Sequence, residues 1–391
     1  MTFPAGFLWG VASAAHQIEG GNVNNDWWEF EHAPGTPCRE PSGDACDSWS
    51  RWPGDMELLA SLGFGAYRFS LEWSRIEPEE GEWSVAALDH YRRHCAAARE
   101  LGLVPLVTFH HFTTPLWLAR RGGWEAADAP ERFARFCRRA GDALGDLIGW
   151  GCTINEPNIV ALMGYLVGVF PPGVSDAGRR RAVTAALCRG HRLAVDELRA
   201  GGGDFPVGLT LSMTDYQAVE GGGQRRDRIR RSMEDVYLEA TAGDDFVGVQ
   251  CYTRMRIGPD GALPAEPGVA LTQMGYEYWP DALEAVIRRA WEVTGGAPLL
   301  VTENGIGTDD DSQRMAYVST ALAGVRRCLD DGIDLRGYIY WSLLDNFEWA
   351  LGYEPTFGLV VVDRRDFGRR PKPSAAWLGA VARANALASP A

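Results

Sequence analysis

The sequence predicts an α/β fold, a single (β/α)₈ TIM barrel that forms one domain over residues 1–391. Short apolar segments alternate with amphipathic helical segments along the whole chain, which is typical of a parallel sheet covered by helices. Several apolar segments are almost continuous, as expected for parallel strands buried on both faces. The eight predicted strands are Phe7–Ser13, Ala66–Leu71, Val104–His111, Gly151–Glu156, Val207–Ser212, Phe246–Tyr252, Leu299–Glu303 and Gly337–Leu343.

The segments between the strands carry apolar residues at spacings of three and four, which place them on one face of a helix. One stripe contains Leu88, Tyr91, Cys95, Ala98 and Leu101, and another contains Met315, Val318, Leu322, Val325 and Leu329. Glycine suits the left-handed residue that ends many helices. Four helices are predicted to end in this way, at Gly63, Gly102, Gly295 and Gly332.

A doubly wound sheet is the structural alternative. That fold would normally carry a Gly-rich phosphate turn after the first strand. Residues 14–20 read Ala-Ala-His-Gln-Ile-Glu-Gly instead, so the barrel is favoured and no nucleotide cofactor is predicted. The chain shows no linker, low-complexity tract or clear repeat, which favours one domain.

The charge balance narrows the range of partners. The formal net charge is −14 and the isoelectric point is about 5.0. A broad basic face for nucleic acid is therefore not expected, and strongly anionic substrates are disfavoured. We expect a small-molecule partner.

The eight cysteines are scattered without a CxxC pair, so we predict neither a zinc site nor a disulfide framework. Cys38 and Cys46 share one predicted loop, which leaves a single pairing open. The first residues lack a charged segment followed by a long apolar one, and no stretch reaches the ~18 apolar residues of a membrane span. We expect a cytoplasmic protein that does not contact membranes.

Two glutamates follow predicted strands at the end where barrel active sites form. The fourth strand leads into Glu156-Pro157, and proline stops a strand because it cannot donate to the ladder. The seventh strand delivers Glu303 to the same mouth. Each alone would be read as a surface charge, but together they suit glycoside hydrolysis. That reaction needs one protonated carboxyl group and one carboxylate.

Aromatic residues and histidines mark the same mouth. The chain has 15 tryptophans, whose flat rings suit the C–H faces of sugars. Trp341 ends the eighth strand and is either a sugar platform or core, while Glu348 follows as a hydroxyl acceptor. His110 and His111 end the third strand, and alternation along a strand brings only one of them into the pocket. No third ligand accompanies them, so no metal is predicted.

From Phe3 to about Trp377, the chain resembles the family-1 β-glycosidases, the β-glucosidase family. The resemblance rests on separate motifs in the family's order. They are residues 7–20 (Phe-Leu-Trp-Gly-Val-Ala-Ser-Ala-Ala-His-Gln-Ile-Glu-Gly), 153–157 (Thr-Ile-Asn-Glu-Pro), 302–305 (Thr-Glu-Asn-Gly) and 341–349, followed by Gly352-Tyr353 and Phe357-Gly358-Leu359.

The resemblance implies a retaining, exo-acting β-glycosidase with Glu156 as general acid/base and Glu303 as nucleophile. It implies that Trp341 stacks beneath the terminal sugar, and that Arg68 and Tyr252 bind Glu303 and keep it ionised. It further implies that the hydroxyl-binding residues are Gln17, His111, Asn155, Glu348 and Trp349.

The chain departs from the family's pattern at two places. Phe112 stands where a tryptophan is usual and loses an indole donor. Gln250 and Cys251 stand where Asn-Tyr is usual, which predicts a changed leaving-group side. By the same resemblance, members that cleave 6-phosphoglycosides have serine at the position of Glu348. We therefore expect a neutral glycone, glucose first, with galactose or fucose as alternatives.

Two other functions fit parts of the pattern. A transglycosylase would use the same residues with an acceptor sugar in place of water. A noncatalytic sugar-binding protein would lack one of the two catalytic glutamates, and this chain has both. A barrel oxidoreductase is disfavoured because no cofactor motif is present.

Overall fold

The computed structural model describes residues 1–387, so the last four residues of the predicted domain 1–391 lie outside the described residues. The strands are β1 (Leu8–Ala12), β2 (Ala66–Ser70), β3 (Val104–His110), β4 (Trp150–Asn155), β5 (Val207–Ser212), β6 (Asp215–Ala218), β7 (Phe246–Gln250), β8 (Arg254–Gly258), β9 (Gly261–Ala262), β10 (Leu299–Asn304), β11 (Leu335–Trp341), β12 (Val360–Asp363) and β13 (Gly368–Pro371).

The helices alternate with these strands. They are α1 (Ala15–Ile18), α2 (Asp26–His32), α3 (Ser48–Leu62), α4 (Trp73–Ile76), α5 (Val85–Glu100), α6 (Leu116–Ala119), α7 (Ala129–Leu144), α8 (Pro157–Leu162), α9 (Ala177–Ala200), α10 (Gly223–Arg230), α11 (Val236–Ala240), α12 (Ala282–Val293), α13 (Asp311–Asp330) and α14 (Pro373–Ala384). Short 3₁₀ turns occur at Gly123–Glu125 and Trp349–Leu351, and π turns at Met163–Val167 and Arg231–Asp235.

Eight strands close into one parallel barrel in the order β1-β11-β10-β7-β5-β4-β3-β2. Strand β1 closes it by pairing with both β2 and β11. The predicted (β/α)₈ fold is confirmed, and the doubly wound alternative is wrong because the sheet has no open edge. Strands β6, β8 and β9 form a small separate sheet in the segments that follow β5 and β7.

The predicted strand positions are correct to within two residues, with informative differences at the ends. The sixth barrel strand stops at Gln250, so Cys251 and Tyr252 lie in the loop at the barrel mouth. The eighth begins at Leu335, two residues before its predicted start, and includes the exposed Arg336.

The helices pack their apolar faces against the barrel as the spacing predicted. Leu88, Tyr91, Cys95 and Ala98 of α5 are buried, but Leu101 is wrongly assigned to this stripe, since it follows the helix and is 39 % exposed. All four predicted helix-ending glycines have positive φ. The eight cysteines are free thiols, so Cys38 and Cys46 do not pair.

Candidate active site

A pocket of about 610 Å³ opens at the carboxyl ends of the barrel strands. The sequence reasoning predicted ten site residues, and nine of them line this pocket: Gln17, His111, Asn155, Glu156, Tyr252, Glu303, Trp341, Glu348 and Trp349. The tenth, Arg68, lies fully buried beneath the pocket floor. Residues from six barrel strands or their following loops therefore meet at one place.

Glu156 lies where β4 ends and α8 begins. Pro157 occupies the first turn of α8, where its missing N–H costs no helical hydrogen bond. The Glu156 amide donates to the carbonyl of Thr210 over 2.9 Å, and its φ of 44° lies in the left-handed region. Side chains other than glycine rarely adopt this conformation, and such residues concentrate at functional sites.

Glu303 lies in β10 and receives hydrogen bonds on both carboxylate oxygens. Arg68 donates from Nη1 to Oε1 over 2.5 Å. The Tyr252 hydroxyl donates to Oε2 over 2.5 Å. The family resemblance implied both contacts, although Arg68 is 235 residues away along the chain.

The surroundings of Glu156 and Glu303 give the two carboxyl groups different pKa values. Burial raises the pKa of Glu303, but Arg68 and Tyr252 oppose this effect by favouring the charged form. Burial together with the nearby charge of Glu303 raises the pKa of Glu156 well above its ordinary value. Glu303 therefore ionises first, and Glu156 retains its proton to higher pH.

The side chain of Asn155 bonds both Arg68, the partner of Glu303, and His111 in the pocket wall. Its Oδ1 accepts hydrogen bonds from Nη2 of Arg68 at 2.6 Å and from Nε2 of Gln250 at 3.1 Å. This fixes the amide orientation, so Nδ2 donates to Nε2 of His111 over 3.2 Å.

His111 is consequently the tautomer with its proton on Nδ1. Burial lowers its pKa well below the ordinary value, so the ring is neutral. Its Nδ1 has no partner among residues 1–387, which leaves one donor for a substrate hydroxyl. His110 instead accepts from the indole of Trp124 and lies outside the pocket, as strand alternation predicted.

Glu348 and Gln17 form the polar end of the pocket. Gln17 Nε2 donates to the carbonyl of Phe347 over 2.7 Å and to Oε2 of Glu348 over 3.4 Å. Burial and the charge of Glu303 raise the pKa of Glu348 to about 8. Near neutral pH, Glu348 can therefore donate as well as accept.

Trp341 and Trp349 supply the aromatic surface of the pocket. The ring of His111 stacks against Trp341 at a centroid separation of 5.8 Å. Trp349 packs against Trp27 at 4.6 Å and lies parallel to the ring of His16, 5.7 Å away. These contacts fix the orientation of Trp349.

The two sequence departures have different structural consequences. Phe112 lines the pocket and packs on Trp349 at 5.0 Å, so the apolar bulk is retained without a donor. Neither Gln250 nor Cys251 lines the pocket, so the expectation that they change the leaving-group side is wrong. Gln250 points into the barrel instead, where its side chain also bonds Glu303 and helps to lower that residue's pKa.

Sequence reasoning missed one residue that positions the site from the barrel interior and two residues that line the pocket. Gln250 was noticed as a departure but not as a partner of Asn155 and Glu303. Ile159 and Met163 also line the pocket, and their spacing of three and seven residues after Glu156 was a helical signal that could have found them. Among residues 1–387, no cluster of three or more metal-ligating side chains occurs.

The family model for glycosyl hydrolase family 1 matches residues 1–242 and 260–387. The chain belongs to glycosyl hydrolase family 1. It is therefore an O-glycosyl hydrolase of the β-glucosidase type. The unmatched residues 243–259 contain β7 and Tyr252, the region where Gln250 departs from the family's usual sequence.

Known members of the family resemble this chain over almost its whole length. A thermostable beta-glucosidase B from Thermobispora bispora is 35 % identical, with 99 % of this chain and 92 % of that protein aligned. The crystal structure of beta-glycosidase BGL167 is 51 % identical, with a TM-score of 0.92 over 100 % of this chain and 99 % of that one.

A third relative has been solved with sugar-like ligands. The beta-glucosidase from Thermotoga maritima in complex with galacto-hydroximolactam is 30 % identical, with a TM-score of 0.94 over 99 % of this chain and 100 % of that one. The same protein has been solved in complex with glucoimidazole. Within the part of this chain that the structure describes, no helix combines the length and apolar character that a membrane crossing needs.

Proposed function

We propose that this β-glycosidase is a retaining, exo-acting enzyme that releases β-linked neutral sugars from a nonreducing end. The observation that supports this most strongly is the pairing of Arg68 and Tyr252 with Glu303, opposite a second carboxyl group with a higher pKa. Such a pair provides one ionised and one protonated carboxyl group in the same pocket.

In the first step, Glu303 attacks the anomeric carbon while Glu156 gives its proton to the glycosidic oxygen. The carbon–oxygen bond breaks, the alcohol leaves, and the sugar becomes an ester of Glu303. In the second step, Glu156 takes a proton from water, which attacks the anomeric carbon and restores Glu303. Over both steps, the glycoside and one water molecule give the free sugar and the alcohol.

The change of role at Glu156 follows from the same electrostatics. The charge of Glu303 is one cause of the raised pKa of Glu156. Esterification removes that charge, so the pKa of Glu156 falls and the residue becomes a base when water must be activated. Arg68 and Tyr252 stabilise the carboxylate that departs in the second step.

The sugar-binding roles rest on the residues at the polar end of the pocket. Gln17, His111, Asn155 and Glu348 supply donors and acceptors for hydroxyls, and Trp349 supplies an indole N–H. Trp341 provides the stacking surface. Since the pocket lies against the barrel core at this end, it suits one terminal sugar, which supports exo action.

Glucose is the proposed glycone, with galactose or fucose as alternatives. The Thermotoga maritima relative has been solved with both a galacto- and a gluco-configured ligand, which supports a tolerant pocket. Transglycosylation by the same residues remains the second candidate, because the ester of Glu303 can react with a sugar hydroxyl. We further propose that the protein is one barrel domain, works without a cofactor and lies in the cytoplasm, as the sequence predicted.

Proton NMR of the first product tests the proposal. A retaining enzyme acting on 4-nitrophenyl β-glucoside releases β-glucose first, and the α-anomer appears only by later mutarotation. Initial release of α-glucose would contradict the two-step mechanism.

A further inference from the structure

His16 is a buried neighbour of Gln17 that does not line the pocket. Both residues follow β1 in the short helix α1. Gln17 lines the pocket, whereas His16 is 1 % exposed and packs on the ring of Trp349. The family resemblance implied a role for Gln17 and none for His16. The contacts of His16 indicate that it acts through Trp349.

The tautomer of the His16 ring is fixed by two amide side chains. Asn22 and Asn25 each donate from Nδ2 to Nδ1 of His16 over 3.2 Å. Asn22 Nδ2 also donates to the carboxylate of Glu72 over 2.6 Å, and Asn25 Oδ1 accepts from the Trp28 amide over 2.9 Å. Neither amide can therefore be reversed. Nδ1 of His16 is an acceptor, so the ring carries its proton on Nε2.

Glu31 lies opposite this Nε2 proton. His16 Nε2 donates to Glu31 Oε2 over 3.4 Å, and both side chains are fully buried. The other oxygen, Oε1, accepts from the Ser42 hydroxyl over 2.5 Å and from the Ser42 amide over 3.1 Å. The Ser42 carbonyl accepts from the hydroxyl of Tyr353, in the loop that follows Trp349. The carboxylate is thus held on both oxygens and connected to the segment that carries Trp349.

The conformation of Trp349 depends on the rings that pack on it. Its φ of 53° lies in the left-handed region, which is unfavourable for a bulky residue, so packing must hold it. The His16 ring lies 5.7 Å from the Trp349 ring with the planes 9° apart, and His111 lies 6.2 Å away at 13°. Every other ring that packs on Trp349 within residues 1–387 is tilted by at least 40°. His16 and His111 are therefore the two rings whose planes match that of the indole.

We propose that His16 is a positioning residue for sugar recognition and that Glu31 holds it in place. This inference rests on the proposed function, in which Trp349 offers its indole N–H to a sugar hydroxyl. The His16 ring fixes the plane of the indole and therefore the direction of that N–H. The hydrogen bond to Glu31 prevents the imidazole from rotating. Loss of this support weakens the bond to one hydroxyl, because Gln17 is held separately by Glu348 and the carbonyl before it.

Monodeoxy substrates measure this hydrogen bond. For each protein, kcat/KM for 4-nitrophenyl β-glucoside is divided by kcat/KM for its 2-, 3-, 4- and 6-deoxy analogues. Each of the four ratios reports the hydrogen bonds to one hydroxyl, and the intrinsic reactivity of the substrates cancels when two proteins are compared. Trp349→Phe lacks the indole N–H, so the ratio that it lowers identifies the hydroxyl bound by Trp349.

His16→Gln removes the ring but keeps an amide that can donate to Glu31, so the buried carboxylate stays paired. A neutral hydrogen bond changes affinity about threefold to tenfold. We therefore expect His16→Gln to lower the ratio for the Trp349-bound hydroxyl about threefold or more and to leave the other three ratios nearly unchanged. An unchanged ratio in the folded variant, or an equal fall in all four ratios, would overturn the inference.

A second variant acts on the partner of His16. Glu31→Gln keeps the side chain's shape, but its amide cannot accept from both His16 and Ser42, so one of these contacts is lost. It should lower the same single ratio, and it replaces His16→Gln if that variant does not fold.

His90→Gln is the matched control for loss of a histidine ring. His90 stacks on Trp49 at 3.7 Å with the planes 9° apart, outside the catalytic pocket. This variant should leave all four ratios unchanged. A fall in the same ratio as in His16→Gln would show that the effect does not come from the contact with Trp349.

Trp349→Phe separates this inference from the proposed function. If it lowers none of the four ratios, the sugar-binding role of Trp349 in the proposed function is refuted, and the inference with it. If it lowers one ratio that His16→Gln and Glu31→Gln leave unchanged, only the positioning role of His16 is refuted.

Discussion

Arg68 and Glu303 form a hydrogen-bonded ion pair over 2.5 Å, with the guanidinium fully buried and the carboxylate almost so. The pair joins β2 to β10 across the barrel interior. Burial raises the pKa of Glu303, and the positive charge of Arg68 beside it is the largest opposing effect.

Replacing Arg68 should therefore change the pH at which the enzyme works. In Arg68→Met the pKa of Glu303 rises, so the acidic limb of the kcat/KM profile moves to higher pH. We expect kcat/KM at pH 7 to fall about 10²–10³-fold, as when one stabilising donor is removed from an active site.

Arg75→Met provides the control for loss of a half-buried, ion-paired arginine. Arg75 pairs with Glu19 over 2.8 Å outside the pocket. This variant should lose stability without moving the acidic limb. An unmoved limb in Arg68→Met would show that Arg68 does not govern the ionisation of Glu303.

The alkaline limb of the kcat/KM profile against pH should depend on the leaving group of the substrate. Glu156 acts while protonated, and its pKa is raised well above the ordinary value, so activity falls as pH rises through that pKa. A 2,4-dinitrophenyl leaving group needs little protonation, so its alkaline limb should nearly disappear. Equal alkaline limbs for dinitrophenyl and alkyl β-glucosides would argue against Glu156 as the acid.

Glu348 should make the enzyme prefer a neutral sugar to its 6-phosphate. Its pKa is about 8, so its charge, and the repulsion of phosphate, grow as pH rises through this value. Arg39 is the one arginine or lysine that lines the pocket among residues 1–387, and it forms an ion pair with Glu354. We expect kcat/KM for 4-nitrophenyl β-glucoside to exceed that of its 6-phosphate at least tenfold.

The Glu348→Ser variant should have a smaller ratio of kcat/KM for 4-nitrophenyl β-glucoside to that for its 6-phosphate. It should also bind the neutral sugar more weakly. The comparison uses both substrates at pH 6.5 and pH 9 with each protein. Preference for the phosphate by the unmodified protein would contradict the assignment of this end of the pocket.

A histidine outside the pocket should limit stability in acid. His94 stacks on Phe69 at 4.3 Å and on Trp52 at 5.1 Å, and burial lowers its pKa to about 3. Above pH 6.5 it is neutral in both the folded and unfolded chains. As pH falls from 6.5 towards 3, only the unfolded chain takes up the proton, so stability is lost.

His94→Phe should remove this loss. Between pH 8 and pH 5, the variant's free energy of unfolding should decrease by about 2 kcal/mol less than that of the unmodified protein. Urea unfolding at both pH values measures the difference. His32→Phe replaces an exposed histidine and is the matched control. Equal acid sensitivity of the His94 variant and the unmodified protein would contradict this account.

The barrel and its mouth were predictable because they depend on local patterns. Apolar runs mark the strands, and Glu156 precedes a proline that must end its strand. The position of Glu303 follows similarly from the end of an apolar run. Since parallel barrel strands expose their carboxyl ends on one face, the sequence could place both glutamates together.

The family resemblance implied the contacts of Arg68 and Tyr252 with Glu303, but the other contacts that tune the two glutamates required the folded chain. Gln250 looked like a change on the leaving-group side, but β7 ends there with its amide directed to Asn155 and Glu303. The raised pKa of Glu303 was likewise not predictable, because it depends on burial outweighing Arg68. Ile159 and Met163 could have been found from their helical spacing after Glu156, but Phe170 and Tyr276 reach the pocket from loops and required the folded chain.

The most direct test of the central claim is the product formed when azide rescues a glutamate variant. Glu303→Ala should be almost inactive on 2,4-dinitrophenyl β-glucoside, and azide should restore turnover with α-glucosyl azide as the product. Glu156→Ala should give β-glucosyl azide, because the ester of Glu303 still forms first. Formation of β-glucosyl azide by Glu303→Ala would contradict the assignment of Glu303 as the nucleophile.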